Sequence, residues 1–430
     1  MEFKIGLLGF GTVGSGVYKI VTSRKQHIKQ KTGFYPEIKK ILVKHPDKPR
    51  NVNGIDEILT TDANEILCDS EISAIIEVMG GIDPAYDYVK KALISKKHVI
   101  TANKELIAKY GDELRKMADE NGVFLKFEAS VAGAIPVIHQ IERLKITDEI
   151  NFVGGIINGT TNYILTQIIE KGMKYDEALA AAQKRGYAES NPDYDIKGFD
   201  ALYKLVILIK KAFDVDASVN SIMRYGINEI KYDDIYYAEK WGYKIKPFAW
   251  AKYEKGNVYA SVEPILIEAN NILASVGDVN NAVILRGDHF KEFIFIGKGA
   301  GQMPTGDSVV ADLIDILLNY GIKTNHTSKR ISVFNGSFTD VFYIRLKPFY
   351  KINIKNILKF FTDNGASFNE SVYDGSTYAA VFKLFDNDIN RFIESLENKK
   401  MCTIESLFKV LYNGNEEDIR YVDTIESEVI

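Results

Sequence analysis

KIGLLGFGTVGSGVYKI, residues 4–20, is the stretch that decides the fold. Its first six residues form an apolar run that stops at Gly9, and an amphipathic segment follows from Thr12 through Val21. Such a run bounded by glycine reads as a buried strand, and the segment behind it as a helix. Between them GFGTVG, residues 9–14, has the spacing G-x-G-x-x-G. In a strand–turn–helix context Gly9 permits the tight turn, Gly11 lets backbone approach a pyrophosphate, and Gly14 allows close helix–strand packing. The phosphates then sit on the unpaired N–H groups at the positive end of the helix. A plain strand-to-helix turn can carry the same letters; the position at the head of an alternating block favours nucleotide binding.

Working outward, IKKILVK (38–44), AIIEVMGG (74–81), KKHVITAN (96–103) and VFLKFEASVAG (123–133) read as further strands, with a helical pattern from Tyr86 to Ile94. Short apolar strands alternating with helices indicate a parallel α/β sheet, so residues 1–136 are expected to form a doubly wound dinucleotide-binding domain of Rossmann type. From about Ile138 the texture changes. A strand and glycine-bearing turn in INFVGGIINGTTNYI (150–164) lead into helices, with KYDEALAAAQKRG stopping at Gly186 and a long helix running from Phe199 to about Phe213. Strand candidates between 240 and 300 suggest an antiparallel sheet, giving an α+β substrate and oligomerisation domain over 137–300. VVADLIDILLNYG (309–321) is amphipathic and is expected to return to the first domain, as part of a segment near 300–330. After Asn335-Gly336 the order is strand, helix, strand, strand, helix, strand, a ferredoxin-like βαββαβ unit over 337–430 with Asp374-Gly375 turning between its middle strands.

Composition bounds the chemistry. At 430 residues the chain suits two to four domains, and 46% hydrophobic with 26% charged residues is ordinary for globular proteins. A net charge of −4 offers no basic field for nucleic acid or anionic membrane. Two cysteines, Cys68 and Cys402, exclude a disulfide framework and a thiolate metal cluster and point to a reducing cytoplasm. With six scattered histidines they supply neither a zinc dehydrogenase site nor the Cys–His pair of an acylating semialdehyde dehydrogenase. No apolar run spans a bilayer, and the N-terminus has no signal-peptide pattern.

Several residues are placed to do chemistry. The second strand ends in Lys44 and His45, with Lys48 and Arg50 beyond and Asp47 the one acid nearby, which favours NADP over NAD. TANKELIA (101–108) puts Lys104 just past the carboxyl end of a parallel strand, where ligands bind in open α/β sheets, although a helix-start surface lysine looks the same. In AQKRGYAESNPDYDIKGFDALYKL (182–205), Asp200 and Lys204 are four apart and share a helix face, with Glu189 and Asp195 in the loop before them. Three carboxylates near one ammonium suit a substrate carrying an amino group, and a desolvated lysine suits general acid–base work. The spacing alone describes equally well a surface ion pair worth ~0.3–0.5 kcal/mol.

The pattern A-x-x-x-G-Y-x-E-x-x-P-x-x-D-I-x-G-x-D-x-x-x-K from Ala182 to Lys204 resembles the signature of homoserine dehydrogenases. EVMGG (77–81), TANK (101–104), EASVAGAIPVI (128–138), NGTTNYIL (158–165) and GKGAGQMPTGDSVVADL (297–313) extend the resemblance over essentially residues 1–330. It implies reversible, NAD(P)-dependent interconversion of L-homoserine and L-aspartate 4-semialdehyde, in the route to threonine, methionine and isoleucine. On that resemblance Lys204 is the proton-transfer lysine, Lys104 lies between nicotinamide and substrate, and Glu189 and Asp200 hold the substrate's amino group and order the site; Asp195 joins them as a substrate-binding candidate from its place in the loop. Phe10, Thr12 and Val13 lie in the dinucleotide loop with Gly9, Gly11 and Gly14, Lys44 stands at the ribose end, and Gly301 contacts the cofactor. It also implies a structural monovalent cation, typically sodium, held by the Glu128 carboxylate and the carbonyls of Val131, Gly133 and Ile135, an all-oxygen set fit for a hard ion. No aspartokinase-like region precedes these motifs, so the likeness is to the monofunctional form, expected as a homodimer or homotetramer. The last unit resembles an ACT amino-acid-sensing domain. Its ligand loop departs from the usual one: KPFYKINIKN (347–356) lacks a glycine after Pro348. The alternative, a non-catalytic Rossmann/ACT amino-acid sensor, would be expected to have lost Lys204 or Asp200, and both are present.

Overall fold

The computed structural model describes residues 1–50, 52, 54–321, 331–334, 336–350, 352–385 and 388–411. Its first sheet has six parallel strands: β1 (Glu2–Leu8), β2 (Tyr35–Leu42), β3 (Leu59–Thr60), β4 (Ile72–Glu77), β5 (His98–Thr101) and β6 (Leu125–Lys126), in the spatial order β3-β2-β1-β4-β5-β6. Both faces are covered by helices, so the central strands are mostly apolar and buried on both sides; β5 is buried at every position. The order reverses between β1 and β4. Crevices outside the carboxyl ends of strands at such a reversal are where ligands bind, and both GFGTVG and Lys104 lie on that edge.

The second sheet has eleven strands: β7 (Ile150–Ile156), β8 (Met223–Arg224), β9 (Tyr243–Glu254), β10 (Asn257–Glu268), β11 (Asn280–Gly287), β12 (Lys291–Lys298), β13 (Val333–Phe334), β14 (Val341–Pro348), β15 (Ala366–Tyr373), β16 (Tyr378–Leu384) and β17 (Cys402–Leu411). Its main path runs β12-β11-β7-β9-β10-β17-β14-β16-β15. Along this path the stretch β12-β11-β7-β9-β10 is antiparallel, as expected from the strand candidates between 240 and 300. The last four strands lie in the order β17-β14-β16-β15 with helices Ile354–Asp363 and Ile389–Asn398 between them in sequence, which is the ferredoxin-like arrangement.

That unit does not form a separate sheet. β17 pairs in parallel with β10, Ile265 to Ile267 lying opposite Lys409 to Leu411. The same edge of β10 also takes β8 at Ser261–Val262 and β13 at Val258–Tyr259. One twelve-residue strand therefore aligns three stretches of chain that are far apart in sequence.

The helix Phe199–Phe213 matches its expected span and is buried at every position after Phe199. It packs between the β7–β9 face and the helix Lys104–Asn121. The charges it carries inside are paired: Lys210 lies 2.7 Å from Asp112 and Lys211 2.5 Å from Glu142. The returning helix spans Gln302–Leu318 and packs on the helix Thr12–Thr32, where Gly16 and Gly306 leave the two backbones no room for a side chain. The last parallel strand is shorter than its sequence suggests. After Lys126 the chain turns into a single 3-10 turn, Glu128–Ser130, because the Glu128 N–H donates to Asp312 (2.8 Å) instead of continuing a ladder.

Candidate active site

The glycine turn has the geometry that its spacing implies. Gly9 has φ +101°, and a Cβ there would lie 2.8 Å from the Val78 carbonyl oxygen. Gly14 packs against the Gly9 carbonyl too closely for any side chain. A Cβ on Gly11 would meet nothing within 4 Å, so that face is open for a bulky group to approach the backbone. Gly11 caps the helix Thr12–Thr32 without a side-chain hydrogen bond, and no acid stands in the first turn. Free N–H groups at a positive helix end suit an anion, so these residues fit a dinucleotide pyrophosphate. Phe10 packs edge-on to Tyr18, and Thr12 is exposed beside the turn. The segment with Gly301 (φ +132°) is brought alongside, since the Gln302 side-chain amide donates to Ser15 Oγ at 2.8 Å.

Lys104 begins the helix after β5. Asn103 caps it by accepting from the Leu106 N–H (3.1 Å) and donates through its amide to the Gly81 carbonyl (2.5 Å). Thr101 is held by the buried Glu77, to which its hydroxyl donates at 2.5 Å. These bonds fix the TANK turn against the end of β4, and Lys104 projects to meet the helix Phe199–Phe213. Its ammonium is 2.5 Å from Asp200 Oδ1, while Lys204 is 2.7 Å from Asp200 Oδ2. Asp200 thus bridges two lysines from different elements. Asn158, the N-cap of the helix Gly159–Lys171, donates its amide to both Asp200 Oδ2 and Asp195 Oδ1 at 2.8 Å. Lys204 also donates to the Ile157 carbonyl at 2.8 Å, leaving its third N–H position without a described partner.

The electrostatics separate these groups. Burial works against the Asp200 carboxylate, but the two ammonium groups outweigh it and hold its pKa below the ordinary range. The charge of Asp200 raises the pKa of Lys104. Burial lowers that of Lys204 in spite of Asp200, with the charge of Lys104 adding to the effect. Burial, reinforced by Asp200, raises the pKa of Asp195. One lysine is thus kept charged while the other is made readier to give up a proton, a division suited to acid–base work.

Two residues stand apart from this cluster. Glu189 is exposed; its backbone carbonyl accepts from the Gln183 amide, and its carboxylate has no partner among the described residues. Lys44 is exposed beyond β2, as are His45 and Lys48. Arg50 is occupied locally, donating to the carbonyls of His45, Pro46 and Lys48.

At Glu128 both carboxylate oxygens accept backbone N–H groups, from Ile138 (2.9 Å) and His139 (2.8 Å), at the start of the helix Val137–Leu144. Gly133 O accepts from Ser308 Oγ and Ile135 O from the Val137 N–H. Burial pushes the Glu128 carboxyl up to about 7, with His139 and Asp312 the nearest charges. Ala132 and Gly133 both adopt left-handed backbone, which curls the segment on itself. Two buried acids, Glu128 and Asp312, share the single His139 as their close positive partner, and in the same turn main-chain oxygens keep a second lone pair, an oxygen-rich set that fits a small hard cation.

Spacing in the sequence did not reveal that Asn158 joins Asp195 to Asp200; the available signal was an Asn immediately before a Gly-Thr-Thr helix start. Nor did it reveal Tyr194, whose ring lies 5.6 Å beneath the Lys104 ammonium.

A parallel sheet with a phosphate-binding turn, and on the same edge a buried lysine able to move a proton, define an NAD(P)-dependent oxidoreductase. Sequence models described as "Homoserine dehydrogenase, NAD binding domain" and "Homoserine dehydrogenase" match residues 9–128 and 136–314. The homoserine dehydrogenase of Bacillus subtilis is 37% identical over 374 residues, 85% of this chain and 86% of that protein. The crystal structure of the enzyme from Thiobacillus denitrificans superposes with a TM-score of 0.86 at 30% identity, covering 96% of this chain and 98% of that one. A hyperthermophilic archaeal homoserine dehydrogenase in complex with NADPH is similar at a TM-score of 0.63 and 25% identity, over 75% of this chain and all of that one. The chain belongs to the homoserine dehydrogenase family. The alternative of a non-catalytic sensor finds no support in these matches. No helix among the described residues is long and apolar enough to cross a membrane.

Proposed function

We propose that this chain interconverts L-homoserine and L-aspartate 4-semialdehyde with Lys204 as its proton-transfer group. The observation that carries the reading is the bridge of Asp200 between Lys104 and Lys204. A dinucleotide held by Gly9 to Gly14 and Gly301 would supply the hydride acceptor for the carbinol carbon, or in reverse the hydride donor to the aldehyde carbon. In the oxidising direction neutral Lys204 accepts the hydroxyl proton as the C–O bond becomes a carbonyl; in reverse its ammonium donates that proton to the nascent alkoxide. Asp200 stays ionised throughout and orients both lysines. Lys104 contributes a fixed positive charge towards the cofactor side. Asp195, with Glu189 from the loop before it, receives the substrate ammonium.

The finer assignments are part of the same proposal. Gly9 to Gly14 and Gly301 hold the dinucleotide. Exposed Lys44 and Lys48, with Asp47 the one acid near the end of β2, favour a 2′-phosphate and hence NADP. Glu128 with the carbonyls of Val131, Gly133 and Ile135 holds a monovalent cation, taken as sodium, that stabilises the junction between the two sheets. Residues 1–136 with the returning helix, 137–300 and 337–430 act as cofactor-binding, substrate and regulatory portions, in a homodimer or homotetramer. The test is homoserine-dependent absorbance at 340 nm, with NADP and NAD side by side in sodium and in choline buffers. A higher kcat/KM with NADP is expected. A folded sample inert with both cofactors would sink the reading.

The ferredoxin-like order of the last unit supports an ACT-type role, and the loop after β14 limits what it senses. Pro348 closes that strand without a glycine behind it, so no bare backbone is offered there to a small amino acid. Activity is therefore expected to be unchanged in millimolar threonine. A threonine-dependent fall in rate would assign feedback control to this unit.

A further inference from the structure

Tyr194 is not among the residues that the proposed reaction uses, yet its ring, although 37% exposed, is stacked between aromatic neighbours and the Lys104 ammonium. It stands on the short helix Asp193–Ile196, next to Asp195. It stacks nearly parallel to two neighbours, Phe199 (6.1 Å between centroids, 21°) and Tyr203 (5.9 Å, 21°). Phe199 in turn carries the Arg224 guanidinium 3.6 Å from its ring centre, and Arg224 also donates to the Lys197 carbonyl. Arg224, Phe199 and Tyr194 form a column that ends beneath the Lys104 ammonium, 5.6 Å from the Tyr194 centroid. The Tyr194 hydroxyl has no hydrogen bond to a described residue, so the contact that matters is the face of the ring.

Lys104 needs such a support. It is the first residue of its helix, where the dipole disfavours a cation, and its side chain is about one-third open to solvent (32%). A π face beneath an ammonium attracts it and shields its pair with Asp200 from water. Resting on the function proposed above, we propose that Tyr194 is a positioning residue. It seats Lys104 on Asp200 Oδ1, leaving Oδ2 to Lys204 and keeping a positive charge beside that second lysine.

The groups that act on this arrangement come from every element packed around it. Lys104 faces Asp200 and Asp195, with Glu105 on its own helix; Lys204 faces Asp200, Lys104 and Asp195; Tyr194 faces Lys104, Asp200, Glu105, Tyr203 and Asp195. Without the ring, Lys104 swings towards solvent. Lys204 then loses a repelling charge and gains a larger share of Asp200. Both changes favour its ammonium, so the pH at which it becomes a base rises.

The test compares wild type with Tyr194→Phe, Tyr194→Leu and Tyr194→Ala over a pH series of homoserine oxidation. Wild-type oxidation of homoserine decides the underlying reading by itself; the variants decide this inference. Tyr194→Phe is expected within about twofold of wild type, whereas Leu and Ala lose about five- to tenfold in kcat/KM at neutral pH. Their acid limb moves up by about half a unit or more, so the deficit shrinks in alkaline buffer. A second readout needs no turnover: acetic anhydride, followed by mass spectrometry, should label Lys104 several-fold faster in Tyr194→Leu than in wild type or Tyr194→Phe. Should the alanine variant fold poorly, the leucine variant, close in apolar bulk, stands in its place. A deficit equal at every pH, a phenylalanine variant as impaired as leucine, or unchanged labelling would overturn the assignment.

Discussion

Lys204→Ala is expected to lower kcat for homoserine oxidation about a thousandfold while leaving NADP affinity within about twofold, since removal of a positioned acid–base group costs about 10²–10⁴ in rate. The structure separates these two effects. Lys204 lies on the helix Phe199–Phe213, whereas the dinucleotide turn is built by Gly9 to Gly14 after β1. Losing the ammonium does not orphan Asp200, which retains Lys104 at 2.5 Å and the Asn158 amide at 2.8 Å, so the fold should survive. Lys204→Arg is the sharper control. Arginine keeps the charge but does not deprotonate in proteins, so it should be as inactive in the oxidising direction as alanine. Stopped-flow rates with fluorescence titration of NADPH measure both properties. A near-wild-type kcat in either variant would remove Lys204 from proton transfer.

Asp234→Ala is expected to have the largest effect on stability. Asp234, on the helix Tyr232–Lys240, is fully buried and accepts five hydrogen bonds: Arg345 Nε at 2.7 Å and Nη2 at 3.5 Å, Tyr343 Oη at 2.9 Å, Ser406 Oγ at 2.8 Å and the Lys231 N–H at 2.9 Å. Three of the four donor residues belong to β14 and β17. Glu405 at the rim also pairs with Arg345, but it is partly exposed and cannot replace the inner acid. Removing one partner of a buried ion pair leaves an uncompensated charge and costs about 3–5 kcal/mol. The loss should appear as faster amide exchange in β14 and β17 and an earlier first transition in urea. The double variant Asp234→Ala/Arg345→Met should recover part of it, because the stranded charge goes as well. An unchanged exchange pattern in Asp234→Ala would show that apolar packing alone holds this region.

What could be read from the sequence followed from how local each cause is. GFGTVG carries its own turn, and the run from Phe199 to Phe213 is apolar on so many sides that only a buried helix accommodates it. The order of the last six elements was equally visible, because two amphipathic helices alternate with short strands such as TYAAVFKLF. The pairing of β17 with β10 was not: nothing local distinguishes an edge that joins another unit from one that faces water. β8 and β13, two residues each, are too short for any period. In the site, the shared helix face of Asp200 and Lys204 was legible from their spacing, but Lys104 lies 96 residues upstream of Asp200 and only the packing of two helices joins them. VFLKFEASVAG read as one strand because it is rich in apolar residues, and the turn at Glu128 depends on Asp312, far along the chain.

The common edge on β10 bears on how this protein could have been assembled or taken apart. A regulatory unit attached by a flexible tether can be lost or exchanged at little cost to what remains. Here β17 completes hydrogen bonds that the Ile265–Ile267 segment would otherwise present bare. An open apolar strand edge is a template for adhesion between molecules. Deleting the last hundred residues would thus unmask a sticky seam on the catalytic body. Such a seam would tend to keep the unit in place across descendants even where it had ceased to sense anything.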